Sequence, residues 1–273
     1  MKKKENSPAV VVGIPARMGS SRFPGKPLCD ILGISMIEHV YKRCKLSDNV
    51  DLVFVAACDQ EVREVVEGFG GMVVMTDPDI SRPALRVAEA CKKIKGLKEN
   101  DIVVVVQGDE PMVRPEMIDL AIEPIIEDSK IMCVNLVSSL TDDQWLDPNE
   151  IKVVTDLEMN ALYMSRSPIP SKIHKESFKA NPFNQSVRFR QVCIFPFFKS
   201  NLLNFVKLSP TPLEQAESIE MLRAVEHGHR IRMVYSPYDT KSVDTESDRI
   251  EVEILLSRDP LCHTYLADHL ALS

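Results

Sequence analysis

No apolar run in the 273-residue chain approaches the roughly 20 residues that a membrane-crossing helix needs; stretches such as Ile102 to Val106 fall well short. The start, Met1-Lys2-Lys3-Lys4, carries the charge of an export signal. Glu5-Asn6-Ser7-Pro8 follows, however, and the next apolar run is broken at Gly13 and Arg17, so none is expected. The seven cysteines, at positions 29, 44, 58, 91, 133, 193 and 262, are odd in number and nowhere form C-x-x-C, which excludes the common zinc pattern and a disulfide framework and fits a reducing cytoplasm. Positive charge is in deficit: 33 Lys and Arg stand against 40 Asp and Glu, a net of -7. General nucleic-acid binding is therefore disfavoured, although a local basic loop can still hold phosphates. Repeats and low-complexity tracts are missing as well, and 44% apolar content allows enough burial to exclude a disordered chain.

What the chain does have is alternation. Val10 to Val12 reads as a strand and Met36 to Cys44 as a helix, with Met36, Ile37, Val40, Tyr41 and Cys44 at helical spacing. Leu52 to Ala57 and Met72 to Met75 read as strands around a helix from Asp59 to Phe69, which Asp59 can cap. Ala84 to Ile94 is a helix, Asp101 to Val106 a strand covered on both faces, and Pro115 opens a helix to Ile126. This order predicts an α/β fold, a parallel sheet wound by right-handed crossovers, with a core over residues 1–137. The alternation lapses over 138–190, which reads as an inserted strand-rich subdomain with a mobile loop around Lys172 to Gln185, a natural place for a dimer contact or a lid. The core resumes over 191–273, with strands at Gln191 to Phe198 and Ile231 to Tyr235 and helices at Lys199 to Phe205, Leu213 to Glu226 and Thr245 to Leu256. His39, within an apolar helical pattern, is expected to be structural.

The densest chemistry follows the first strand. Gly13 to Leu28 contains Ala16, Arg17, Gly19, Ser20, Ser21, Arg22, Gly25 and Lys26, so that glycines, hydroxyls and cations share one loop at the carboxyl end of a strand, where open α/β sheets bind ligands. Backbone N–H groups at glycines and charge-assisted bonds from Arg and Lys suit a triphosphate. The loop is not a Walker A motif: five residues instead of four separate Gly19 and Gly25, and Pro27 stands where Ser or Thr would hold magnesium. G-x-G-x-x-G is absent too, so a dinucleotide is not indicated. Gln107-Gly108-Asp109-Glu110-Pro111 ends a strand in two carboxylates, a pattern that fits Mg2+ and is equally good turn chemistry. Lys241 to Glu246 reads as a short strand ending in Asp244 before a helix, which Asp244 or Thr245 could cap. Taken together, two strand-end carboxylates and a basic glycine loop point to a metal–triphosphate site.

These segments resemble the CMP-Kdo synthetase (3-deoxy-manno-octulosonate cytidylyltransferase) family from about Val10 to Asp248. Further matching pieces are Met36 to Tyr41, Lys152 to Val154, Ala161 to Pro170 and Pro212 to Glu214. The resemblance implies a Rossmann-like nucleotidyltransferase with a mixed, mostly parallel sheet and a dimerisation subdomain. It would be a homodimer that uses CTP and Mg2+ to convert a 2-keto sugar acid to its CMP derivative with release of pyrophosphate. It also implies that Arg17, Ser20, Arg22 and Lys26 bind the CTP phosphates, with Arg17, Arg22, Lys26 and Asp109 catalytic. Ala16, Gly19, Ser21, Arg86 and Gln107 complete the nucleotide site, and Asp109 and Asp244 hold the metal.

Departures fall on the sugar side. The family's His-x-Ser-Gly-Thr-x-Arg is here Ile80-Ser81-Arg82-Pro83-Ala84-Leu85-Arg86; Arg-His-x-Gly-x-Tyr is Arg190-Gln191-Val192-Cys193-Ile194-Phe195; and Leu-Glu-Gln-Leu-Arg is Ile219-Glu220-Met221-Leu222-Arg223. An imidazole, a phenol and an amide are lost while Arg82 adds a cation. The residues expected to bind the sugar acid are Arg82, Arg166, Gln191, Phe195, Glu217, Glu220 and Met221, and an acceptor other than Kdo is an open alternative. A nucleotidyltransferase using another NTP and a catalytically silent nucleotide- or partner-binding protein are the other readings.

Overall fold

The computed structural model describes residues 7–20, 22–171 and 188–270. Its first sheet has the order β11(Ile194–Phe198), β6(Ile102–Val106), β1(Val10–Ala16), β4(Leu52–Ala57), β5(Val73–Met75). β6, β1, β4 and β5 run parallel, and β11 is antiparallel at the β6 edge. Both faces are covered, which is why Ile102 to Val106 is apolar at every position. Val10, Val12 and Ile14 of β1 face a core built with α1(Met36–Lys45), α2(Gln60–Gly68) and α4(Pro115–Glu127). Val11 faces the opposite core, shared with α3(Pro83–Lys93) and α6(Lys199–Phe205). After β1 the chain adds β4 and β5 on one side and then β6 on the other, so strand order reverses between β1 and β6. A crevice opens at such a switch point outside the strands' carboxyl ends.

A second sheet has the order β12(Ile231–Tyr235), β7(Cys133–Ser139), β10(Phe189–Val192), β8(Lys152–Thr155), β9(Ala161–Ser165). It curls until its edges meet, where Asn160 bridges Arg232 and the Met233 N–H donates to the Met159 carbonyl at 2.7 Å. Its strands come from both sides of positions 138 and 190, and β10 passes into β11 of the first sheet across Cys193 alone. The two sheets therefore share one backbone and one core. The segment 172–187, where a mobile loop was expected, lies outside the described residues.

Several local expectations are corrected. The helix expected from Leu213 to Glu226 is two, α7(Pro212–Glu217) and α8(Leu222–Glu226), because Ser218 takes the left-handed conformation at φ 53°. Lys241 to Asp244 forms no strand. Asp59 occupies the N-cap of α2, but its carboxylate accepts from the Met18 N–H at 2.8 Å instead of capping. A hairpin of β2(Asp30–Ile31) and β3(Ile34–Ser35) and the helices α5(Asp142–Leu146) and α10(Pro260–Leu270) were not anticipated.

The last two helices, α9(Glu246–Leu256) and α10, clamp the start of the chain's first crossover. Arg249 donates to the Asp30 carbonyl at 3.0 Å, and Glu253 accepts from the Leu32 N–H at 3.1 Å. Arg43, buried on α1, bonds Asp259 at 2.7 Å and the Val113 carbonyl at 2.6 Å. His39, fully buried beside it, lies 2.7 Å from the Ile31 carbonyl through Nε2 and 2.9 Å from the Tyr265 hydroxyl through Nδ1. A carbonyl can only accept, so Nε2 carries the proton and Nδ1 accepts from the hydroxyl. Burial first, and the Arg43 charge after it, push the imidazole down to about 4. The unfolded chain then takes up a proton near pH 6.5 that the folded chain refuses, so this contribution to stability is present above that pH and is lost as pH falls toward 4. Between pH 7 and 5 the unsubstituted protein should lose about 2 kcal/mol of unfolding free energy more than His39→Gln, as read by urea titration at the two pH values. Equal pH dependence would show that the imidazole is not held neutral.

Candidate active site

The loop leaving β1 is shaped by its own backbone. The Ser20 N–H donates to the Met18 carbonyl at 2.9 Å, and the Gly25 N–H returns to the same carbonyl at 3.3 Å. Gly25 sits at φ 72°, a conformation only glycine adopts without strain, and leads into a 3-10 turn over Lys26–Leu28. With the Asp59 carboxylate holding Met18, the loop folds back on itself and directs Lys26 into the crevice, where its side chain is 13% exposed.

Two carboxylates meet it there. Asp109 leaves β6 after Gly108, whose α-carbon lies so close to β1 that an added Cβ would stand 2.7 Å from the Pro15 carbonyl oxygen. Asp244 precedes α9, where Thr245 and Asp248 form a capping box and the Asp248 carboxylate also accepts from the Asp244 N–H at 3.2 Å. The Lys26 Nζ donates to Asp109 Oδ2 at 2.7 Å and to Asp244 Oδ1 at 3.0 Å, and Arg22 approaches the same Asp244 oxygen at 3.1 Å. Burial alone would lower the lysine pKa, but the two carboxylates outweigh it and hold the ammonium above its ordinary value. Just behind, burial and the Asp109 charge push the Glu110 carboxyl up to about 7.

The crevice is a cleft of about 450 Å³. It brings together nearly every residue expected at the nucleotide: Ala16, Arg17, Gly19, Ser20, Arg22, Lys26, Arg86, Gln107, Asp109 and Asp244 all line it. Ser21 lies outside the described residues. Arg86 is at the wall but its guanidinium is spent on the protein, bonding Thr76 Oγ1 at 2.6 Å and the carbonyls of Asp77 and Ile80. Among the described residues no group of three or more His, Cys, Asp or Glu converges. The two carboxylates already bind one cationic centre between them, a hard-oxygen donor set that suits Mg2+, which takes one or two carboxylates and completes its shell from phosphates and water.

Comparison with known proteins settles the family. The sequence profile described as "Cytidylyltransferase" matches residues 11–231. The chain belongs to the cytidylyltransferase family. A 3-deoxy-manno-octulosonate cytidylyltransferase of Geobacter metallireducens is 42% identical over 249 residues, covering 90% of this chain and 96% of that protein. An 8-amino-3,8-dideoxy-manno-octulosonate cytidylyltransferase of Shewanella sediminis is 39% identical over 245 residues, 88% of this chain and 95% of that one. The solved structure of CMP:2-keto-3-deoxy-manno-octonic acid synthetase complexed with CTP superposes with a TM-score of 0.81 at 34% identity, covering 92% of this chain and 99% of the other.

The seven positions expected at the sugar acid behave differently in this cytidylyltransferase, and none is among the residues lining the cleft. Phe195 and Met221 are packed into the core between the sheets, because strand alternation in β11 and the turn into α8 point them inward. Gln191 is buried and donates to Asn135 Oδ1 at 2.7 Å. The Glu217 carboxylate is committed to the Tyr163 hydroxyl at 3.0 Å, Ser165 Oγ at 2.7 Å and the Arg166 N–H at 2.9 Å, while Arg166 donates to the carbonyls of Glu217 and Pro148. Arg82 pairs at 3.5 Å with Glu214, itself buried in a two-bond contact with Arg223. Glu220 differs: burial pushes its carboxyl up to about 7, and its Oε1 is buried without a hydrogen-bond partner. Ser81 and Ser218 line the cleft without having been anticipated. Ser218 does so from a left-handed conformation for which a serine gives no sequence signal.

Two glycines separate fit from flexibility. Gly108→Ala should cost about 1–3 kcal/mol of stability through overpacking. Gly19→Ala, which meets nothing within 4 Å, should change it by less than about 0.5 kcal/mol. Equal losses in urea titration would mean that the turn at Gly108 can give way.

Proposed function

We propose that this cytidylyltransferase transfers CMP from CTP to the anomeric hydroxyl of a 2-keto sugar acid of the 3-deoxy-manno-octulosonate type, releasing pyrophosphate, with Mg2+ held by Asp109 and Asp244. The observation that carries the reading is the Lys26 ammonium between these two carboxylates at the floor of a cleft edged by Arg17 and Arg22. In the reaction the anomeric oxygen forms a bond to the α-phosphorus, the bond to the bridging oxygen breaks, and its electron pair leaves on pyrophosphate. The hydroxyl proton passes to solvent or to the departing phosphate. Negative charge moves toward the β- and γ-phosphates, where the cations of Lys26, Arg17 and Arg22 would stabilise it. Mg2+ bound by the two aspartates would add charge neutralisation and lower the pKa of an oxygen it contacts. The loop at Gly19 and Ser20 orients the phosphates, and much of the rate should come from in-line placement.

The acceptor class rests on relatives named for two such acids, and the altered sugar-side segments make the choice among them an experimental matter. A homodimer is part of the same reading. Leu157, 83% exposed, and Leu162, 59% exposed, give the edge of the second sheet an apolar surface that another copy would cover.

The test is pyrophosphate release with Mg2+ and each of CTP, ATP, GTP and UTP, against 3-deoxy-manno-octulosonate, its 8-amino analogue and other 2-keto sugar acids. Turnover is expected with CTP and at least one acid. Lys26→Met should lower kcat by about 100-fold or more with the fold intact by circular dichroism. Turnover with another NTP alone would overturn the nucleotide assignment. CTP binding without turnover on any acid would favour a catalytically silent protein.

A further inference from the structure

Asp109 and Asp244 belong to loops that no strand pairing joins, yet they converge on one ammonium. Two hydrogen bonds tie the loops together. One is backbone to backbone, from the Val243 N–H to the Asp109 carbonyl at 2.9 Å, and any residue but proline could make it. The other needs particular side chains: Thr240 Oγ1 donates to Glu110 Oε2 at 2.8 Å, with both residues buried. Thr240 is held at its other end too, since its carbonyl accepts from Arg190 Nη2 at 2.9 Å, and Arg190 lies on β10 with its Nη1 3.7 Å from Glu150. The brace therefore runs from the second sheet, through Thr240, to the residue adjoining Asp109. Four residues after Thr240 comes Asp244.

We propose that Thr240 is a positioning residue whose hydroxyl, by anchoring Glu110, fixes the separation of the Asp109 and Asp244 carboxylates and thereby tunes the site for a divalent cation bound with a nucleoside triphosphate. Thr240 is absent from the cleft wall and acts only through Glu110 and the Val243 link. A buried hydroxyl–carboxyl bond is suited to this, because losing the donor strands a carboxyl with no water to replace it. The proposal rests on the metal–CTP reading of the site.

Calorimetry without acceptor measures CTP affinity with Mg2+ and with EDTA, and the ratio gives the metal-dependent gain. Thr240→Val should reduce that gain about tenfold while CTP affinity in EDTA stays within about twofold, and Thr240→Ser, which keeps the hydroxyl, should restore it. Thr240→Ala, which cannot overpack, is the second hydroxyl-free variant and should behave as the valine does. An undiminished gain in folded Thr240→Val or Thr240→Ala overturns the proposal. So does a serine variant as impaired as the valine, since side-chain packing would then be responsible. If the unsubstituted protein shows no gain with Mg2+, the metal reading fails first and the brace falls with it.

Discussion

The clasp of one ammonium by two carboxylates organises this structure. Lys26, Asp109 and Asp244 are 83 and 218 positions apart in sequence, counted from the lysine, and arrive by unrelated routes: a folded loop after β1, the exit of β6 and the approach to α9. Burial as deep as this disfavours the charged form of a lysine standing alone, and two carboxylates converging on one point repel. Together each removes the penalty of the others, so the site is stable only when all three segments are in place. The C-terminal helices are thus part of the site's construction. Their bonds from Arg249 to Asp30 and from Glu253 to Leu32 fix the hairpin that follows the Lys26 turn, while the capping box at Thr245 and Asp248 fixes the residue before it.

Enclosure also decides which groups are free to meet a ligand. Around the loop after β1 the cations are only partly committed: Arg22 is largely exposed beside Asp244, and Arg17 stands exposed at the cleft wall. The carboxylates of Glu214 and Glu217 on the other side of the molecule are internally satisfied. Glu214 is balanced by Arg223 and Arg82, and although burial works against ionisation, the Arg223 bonds keep its carboxyl below the ordinary range. Glu217 has its carboxylate fully bonded within the protein. One side holds polar capacity in reserve and the other has used it to build a turn.

The gathering of the loop residues at one cleft was legible in the sequence because their chemistry is local and crowded. Glycines, hydroxyls and cations within sixteen positions leave few structural explanations, and an apolar strand that stops at Asp109 announces a carboxylate at a sheet edge. The parallel sheet was legible for a similar reason, since continuous β-branched runs are what two-sided burial requires. The second sheet was not, because β7, β10 and β12 come from separated segments and their pairing depends on contacts no local period encodes. The break at Ser218 was hidden by a helical pattern continuous on both sides of it. Thr240 was hidden as well: its partner lies 130 residues away, and nothing in Tyr238-Asp239-Thr240-Lys241 marks a buried hydroxyl.

The sugar-side differences now have a physical sense. Phe195 and Met221 stand where the family's phenol and amide would be, and both pack into the apolar core between the sheets. Such side chains gain from burial, so Phe195 and Met221 stabilise the fold where they stand. Two groups in these segments keep an unmet need: Arg190 Nε, buried without a partner, and Glu220, whose Oε1 is buried without a partner and whose acid burial pushes up to about 7. An unsatisfied buried oxygen costs on the order of 1–3 kcal/mol. A fold that bonds the Glu214 and Glu217 carboxylates yet leaves Glu220 half satisfied keeps that need two positions along the chain from Ser218, which lines the cleft.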